Sequence, residues 1–384
     1  MSFYHRDEEG MRTIFCIICF ILIISSNTVY AKDEETYNYD YTQIQETIDK
    51  SLSGNKLQFS ELVDKLVSGN TDGLIEKSID YGLQYLFYEI NANRNAIVQV
   101  IVIATIGAVF SNFSFVFKNN QVSEISFYVT YLAMITILAA GLQTSVTITT
   151  DMLSALISFM RALVPAYFMA VAFVGGATSS IVYSQFMIAI ITVVQYVLNY
   201  IMIPMIRIYV VIMFVNSISK EDFLSKLGEV FQTILEWALK TIIGGVMGAS
   251  IIQSLIIPFI DGTRASTVQK AIKAIPGIGD GINAVSDIVI GGGVLIKNGI
   301  GVAALIVIVI ITAIPMIKLG VICLLYHFAA AALQPLGENR MVDCTNAVAL
   351  GTKMLLKTVF IAGMLFFITI AIICSATNAV FFAT

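Results

Sequence analysis

The feature that most constrains this chain is a series of apolar runs, each about as long as a membrane span, between Ala96 and the C-terminus. A helix needs about 20 mostly apolar residues to cross a bilayer. The candidate spans are 96–117, 125–149, 162–182, 186–215, 241–260, 299–317, 319–335 and 358–380. The run 319–335 is short enough to be re-entrant. We expect an all-α, polytopic membrane bundle of about six to eight spans, several of them broken or kinked at prolines.

Composition supports a membrane protein. Apolar residues make up 57% of the chain and charged residues only 12%. A soluble domain carries about 25% charged residues, which it needs to coat a surface in contact with water. The low charge therefore excludes most classes of soluble enzyme.

The N-terminus has the pattern of an export signal. An uncharged apolar core, Ile14–Ile24, precedes the small-x-small sequence Val29-Tyr30-Ala31, which predicts a signal peptide over 1–31. The acidic residues 7–9 oppose the usual positive charge at the start of such a signal. A true start at Met11 would give a more usual signal, and a long first region is the alternative.

Residues 32–95 differ from the rest of the chain. They hold six basic and twelve acidic residues, whereas 96–384 hold 14 basic and 11 acidic. Apolar residues at helical spacing over 75–90 predict a small acidic helical region that docks on a partner or on the membrane domain 96–384. Export places it outside the cytoplasm. Alternation of the spans then places the basic loop 261–298 inside, as the positive-inside rule requires.

An amphipathic helix is predicted over 219–240. Phe223, Leu227, Phe231 and Ile234 lie on its apolar face. The helix could lie in the membrane interface, bind a partner or pack on the spans of its own chain. Trp237, the only tryptophan, is a candidate interfacial anchor because indole rings favour the headgroup level.

The segment 261–301 is rich in glycine and charge. Irregular backbone near a membrane is tolerated only where it is buried in protein or lines water, and charges there tend to mark a pathway. The candidate pore or subunit-contact residues are therefore Asp280, Asp287, Gly291, Gly292, Gly293, Lys297 and Asn298. A solvated loop with an amphipathic helix at 265–275 is the alternative interpretation.

Two pairs of glycines are candidates for close helix contacts. They are Gly175 with Gly176, and Gly244 with Gly248, which are spaced as G-x-x-x-G. Small residues at this spacing let two membrane helices approach closely. Flexible bends are the alternative.

Motifs of catalysis and energy coupling are missing from the sequence. It has two histidines and neither H-E-x-x-H, G-x-S-x-G nor G-x-x-x-x-G-K-[ST]. We therefore expect a non-enzymatic chain with no catalytic residues, cofactor or metal. A subunit of a membrane channel fits this pattern. A self-contained secondary transporter for a small solute is the alternative, with its site on discontinuous helices.

Several strings resemble the stage III sporulation protein AE family. They are DGTRASTVQKAIKAIPGIGDGINAVSDIVIGGGVLIKNGIGV, PMIKLG, AAALQPLGENR and PAYFMAVAFVGGATSSIVYSQF. The most specific parts are Leu295–Asn298 with Gly301, and Leu333–Gly337. The resemblance runs through 150–380.

The resemblance implies a role in endospore formation. Members of the family are made in the mother cell and lie in the outer forespore membrane. It also implies a permease-like subunit of a secretion-like channel that sustains the engulfed forespore and its late transcription. Expected partners are the lipid bilayer, membrane proteins of the same sporulation operon including an ATPase, and a forespore-made membrane protein across the intermembrane space. Further copies of the chain are a candidate partner, and nucleic acid is not expected.

Overall fold

The computed structural model describes residues 41–51, 58–67, 98, 102, 120–172, 177–218, 223–273, 279–336 and 339–382, in places by backbone alone. Every regular element in these ranges is helical, which confirms the all-α fold. The helices are α1 Thr42–Ser51, α2 Phe59–Val67, α3 Asn120–Val171, α4 Ala177–Tyr196, α5 Ile203–Ile218, α6 Ser225–Lys273, α7 Gly279–Leu333 and α8 Asn339–Phe382.

Five helical stretches among the described residues are long and apolar enough to cross a membrane. They are Tyr128–Val171, Ser184–Ile218, Ser225–Ile252, Gly293–Leu333 and Asn339–Cys374. This confirms the predicted polytopic helical bundle. The predicted span 96–117 lies outside the described residues except at 98 and 102.

Two pairs of predicted spans share one helix. The 52-residue helix α3 passes through Pro165, so that 125–149 and the start of 162–182 are continuous. The 55-residue helix α7 passes through Pro315 and joins 299–317 to most of 319–335, which is therefore helical and continuous with the span before it. A proline costs one backbone hydrogen bond, and packing of neighbouring helices lets a membrane helix continue past it.

The helical pattern does change at Pro204. A π-helix, Val197–Met202, links α4 to α5, and the N–H of Ile203 bonds to the carbonyl of Leu198. Proline has no N–H, and its ring clashes with the carbonyl four residues earlier. The wider π turn relieves this clash, so the sequence correctly predicts a local distortion here.

Side-chain contacts define the direction of the long helices. Ser145 and Tyr167 of α3 lie beside Thr352 and Cys374 of α8, so α3 and α8 run in the same direction. Gly141 of α3 lies against Tyr326 of α7, whereas Tyr167 lies near Gly301, so α3 and α7 run in opposite directions. Helix α8 packs against α3, α5, α6 and α7 and forms the centre of the bundle.

The two small helices dock on the bundle. Phe59 is fully buried, with its ring centroid 6.4 Å from that of Phe159 in α3 and 5.3 Å from that of Tyr41. The N–H of Phe59 donates to Oε1 of Gln45 at 2.8 Å, which satisfies one free donor at the start of α2. The acidic region is predicted to dock on a partner or on the membrane domain 96–384. Its described part packs on the membrane domain.

The predicted amphipathic segment forms the start of the 49-residue helix α6 and is not a separate element. Its apolar face is divided between the bundle and the exterior. Leu235 is buried and Phe231 half-buried, whereas Leu227, Val230 and Ile234 are exposed. Packing on its own spans therefore accounts for only part of this face.

Candidate functional site

Lys297, a predicted pore or contact residue, lies inside the bundle. Its side chain is fully buried in α7, near Cys374 of α8. One turn further along α7, Gly301 faces Cys374 and Tyr167, so three helices meet at this point. Whether Lys297 lies near a pore or an inter-subunit surface stays a prediction.

Asn298 follows Lys297 and is half-buried. Its Oδ1 is buried and has no hydrogen-bond partner among the described residues. A buried amide oxygen without a donor is costly, and such exceptions require an explanation. Lys297 and Asn298 are thus the two predicted site residues for which the structure describes buried polar atoms.

The other members of the predicted group are described less fully. For four of them the structure describes only the backbone, which is part of α7: Asp280, Asp287, Gly291 and Gly292. Gly293 is half-buried. The backbone over 279–301 is helical, so the irregular backbone expected there is wrong for this part. Whether the group lines a pathway stays a prediction.

Of the predicted glycine contacts, those of Gly244 and Gly248 are not seen among the described residues. A methyl group added at Gly244 or Gly248 would meet no atom within 4 Å, so both face away from the other helices. The reason is that α6 lies at the edge of the bundle, with Gly244 exposed and Gly248 half-exposed. Gly175 and Gly176 lie outside the described residues.

Other glycines form the close helix contacts. A methyl group at Gly351 of α8 would lie 2.5 Å from Cγ2 of Val210 in α5 and 3.4 Å from Cδ1 of Leu142 in α3. One at Gly363 would lie 2.6 Å from Cγ2 of Thr312 in α7. These glycines stand alone in the sequence without a G-x-x-x-G pattern, which is why sequence reasoning missed them.

Trp237 is 71% exposed on α6, as an anchor at the membrane interface requires. The next residue along the chain towards the N-terminus, Glu236, bonds to Lys357 of α8 at 3.0 Å. At α3, Arg161 donates to Oε1 of Gln195 in α4 at 2.7 Å. Polar contacts between helices therefore occur on two sides of the bundle, and the anchor role of Trp237 stays a prediction.

The exposed side of α3 is polar, a feature that sequence reasoning missed. All side chains from 133 to 168 are described, and the exposed ones are small or polar. We call six of them the α3 polar face: Thr136, Gln143, Thr147, Asp151, Ser154 and Ser158. Polar residues spaced by three or four from 143 to 158 are the signal for this face, but division of the segment at 149 into a span and a loop hides it.

Catalytic groupings are not seen in the part of the chain that the structure describes. No three His, Cys, Asp or Glu side chains there could hold a metal ion. Cys323, Cys344 and Cys374 form no disulfide with one another. The described residues offer hydrogen-bonding and charged groups along helices, arranged along the bundle and not as a compact reactive cluster.

Comparison with known proteins identifies related chains. Residues 57–377 match the family model of stage III sporulation protein AE. Over 295 residues the chain is 23% identical to "Stage III sporulation protein AE" of Bacillus subtilis (strain 168), which covers 77% of this chain and 74% of the relative. No solved structure matches the chain.

Proposed function

Because the chain belongs to the stage III sporulation protein AE family, we propose that it is the polytopic membrane subunit of a secretion-like channel joining mother cell and forespore. Its role in sporulation and its apolar helical bundle are the firm part of this account. The observation that carries the proposal is the family match over 57–377, which spans all five membrane-length helices.

The arrangement of the helices supports a subunit that acts within an assembly. Exposed polar residues follow α3 over many turns, and the glycines at 244 and 248 face outward from α6. Among the described residues, neither surface is covered by another helix. The channel subunit would receive energy from an ATPase partner and contact a forespore-made membrane protein across the intermembrane space.

The secondary-transporter alternative is less well supported. Such transporters bind substrate at discontinuous helices near the middle of the bilayer. Here α3 continues through Pro165 and α7 through Pro315. The π-helix at Val197–Met202 is the described feature that this alternative could still use.

The test is deletion of the gene in its sporulating host, with fluorescent reporters of transcription in each compartment. The proposal predicts arrest after engulfment, collapse of the forespore and loss of late forespore transcription. An intact copy supplied from the mother cell, but not from the forespore, should restore spores. Normal spores from the deletion strain would contradict the proposal.

A reporter fused at Tyr41 tests the orientation. The proposal places this residue outside the cytoplasm, in the intermembrane space after engulfment. Alkaline phosphatase, which folds only outside the cytoplasm, should be active there. A fusion that is active only as a cytoplasmic reporter would overturn the orientation and leave the sporulation phenotype unaffected.

A further inference from the structure

The exposed surface of α3 is unusual for a membrane-spanning helix. Over 133–168 every exposed residue is small or polar, and the large apolar residues exposed on α3 lie only at its ends, up to Leu132 and again at Met169. This stretch of 36 residues rises about 54 Å at 1.5 Å per residue, more than the hydrocarbon thickness of about 30 Å. The rest of α3, 120–132 and 169–171, rises only about 20 Å and about 5 Å, too little to cross the hydrocarbon, so a spanning α3 must place part of 133–168 at that depth.

The neighbouring helix α5 gives the depth of the α3 polar face. Leu142 of α3 and Val210 of α5 both contact the position of Gly351, so they lie at one level of the bundle. Gln143 and Val211 are the next residues on their helices, and both are exposed. At one depth, therefore, α3 exposes an amide and α5 exposes a 55% accessible valine.

The same contrast holds between the levels of Tyr131 and Leu142 on α3. Tyr131 of α3 donates to the carbonyl of Phe214 in α5 at 2.6 Å, so the two helices run in opposite directions from this point. Between these levels α5 exposes Val211 and Val215, which suit contact with lipid, whereas α3 exposes Thr136 and Gln143, which do not. One turn before Val211, α5 also exposes Arg207, so the contrast is limited to this part of the two helices.

Serine and threonine alone would not require water. A hydroxyl in a membrane helix can bond to the carbonyl four residues earlier, as Thr136 does to Leu132 at 2.9 Å. Gln143 and Asp151 have no such solution. One N–H of Gln143 reaches Thr147 at a long 3.5 Å, and the rest of its amide faces outward. Asp151 exposes a carboxylate, which is strongly unfavourable in lipid.

We propose that the α3 polar face lines a water-filled path through the membrane, at the centre of an oligomer of this chain. The inference rests on the proposed channel function and names the surface that would form the path. A path needs polar walls on every side, and the face is open outward on one helix. Copies arranged around an axis would each present the same face inward at the same depth, as in cyclic oligomers generally.

The test uses single cysteines in a chain whose five native cysteines are replaced by alanine. Gln143→Cys and Thr147→Cys lie on the α3 polar face, and Val211→Cys is the control at the same depth. Sporulating cells are treated with a small water-soluble maleimide. Thiols react as thiolates, which form where water reaches them, so the two face positions should label on the order of tenfold faster than the control.

The second readout is oxidative cross-linking of the same variants. Thr147→Cys should give disulfide-linked dimers of this chain, whereas Val211→Cys should remain monomeric. Labelling no faster than at the control would overturn the path. Fast labelling with no dimer at Gln143 or Thr147 would overturn the oligomer and indicate another protein as the second wall.

These outcomes are separate from a failure of the proposed function. If the deletion strain sporulates normally, the channel function fails whatever the labelling shows. If the deletion strain arrests but the face positions stay unreactive, the function stands and the placement of the path on α3 is wrong. Spore counts of the cysteine-free chain provide the check that it folds and assembles.

Discussion

The hydroxyl of Tyr131 on α3 donates a 2.6 Å hydrogen bond to the backbone carbonyl of Phe214 on α5, and both residues are buried. Tyr131 also lies beside the thiol of Cys344 on α8, so one side chain joins three helices. We expect Tyr131→Phe to lower the free energy of unfolding by about 1 kcal/mol, the usual net value of such a bond. Thermal unfolding in detergent measures this change.

The matched control is Tyr200→Phe. Tyr200 is 68% exposed and keeps its ring contact with Tyr196 when the hydroxyl is removed. We expect no change in unfolding temperature for this variant. An equal loss in both variants would mean that the bond to Phe214 is not what holds α3 to α5.

Gly351 is required by the close approach of α8, α5 and α3. The added methyl group of Gly351→Ala would lie 2.5 Å from Cγ2 of Val210, which forces the helices apart and should cost about 1–3 kcal/mol. Gly320→Ala is the control, because a methyl group there meets nothing within 4 Å. Alanine favours a helix over glycine by about 1 kcal/mol, so Gly320→Ala should be neutral or stabilising. Opposite signs in unfolding experiments are therefore predicted, and a neutral Gly351→Ala would contradict the packing.

The pair Glu236 and Lys357 joins α6 to α8 at 3.0 Å, with both side chains more than a third exposed. Exposed pairs contribute only about 0.2–1 kcal/mol, so Glu236→Gln should reduce stability slightly. The charge-reversed double variant, Glu236→Lys with Lys357→Glu, should recover the loss. The pair Lys226 and Glu229 within α6 is the control, and Glu229→Gln should not loosen α6 from α8. A double variant no better than either single one would show that the two charges do not interact.

Trp237 reports its own depth because it is the only tryptophan in the chain. If it anchors α6 at the headgroup level, lipids with a quencher near the headgroup should reduce its fluorescence more than lipids with a quencher at the chain end. Trp237→Phe provides the blank. Stronger quenching at the chain end would place this part of α6 near the middle of the bilayer.

The fold was largely predictable from the sequence because long apolar runs leave few alternatives in a membrane. The helix ends were less predictable. Pro165 and Pro315 indicate breaks locally, yet tertiary packing carries α3 and α7 through both. Pro204 does distort its helix: its ring would clash with the preceding α-helical turn, and the π turn at Val197–Met202 relieves that clash.

Site residues were predictable only in part. Lys297 and Asn298 stand out in the sequence because charged and amide groups are rare in such a segment, but the burial of Lys297 depends on which side of α7 meets α8. Gly244 and Gly248 have the spacing of a contact, yet α6 turns them outward. The α3 polar face could not be predicted for a similar reason: the sequence does not show which residues of α3 the other helices leave exposed.

The most direct test of the path along α3 is complementation of the deletion strain by a chain in which the α3 polar face is made apolar. Gln143→Leu with Thr147→Leu makes the α3 polar face apolar at the depth of Val211, and Val211→Leu with Val215→Leu is the control on α5. We predict that the first double variant is made and inserted normally but yields few heat-resistant spores, while the control yields as many as the intact chain. Equal spore counts from both would contradict the account.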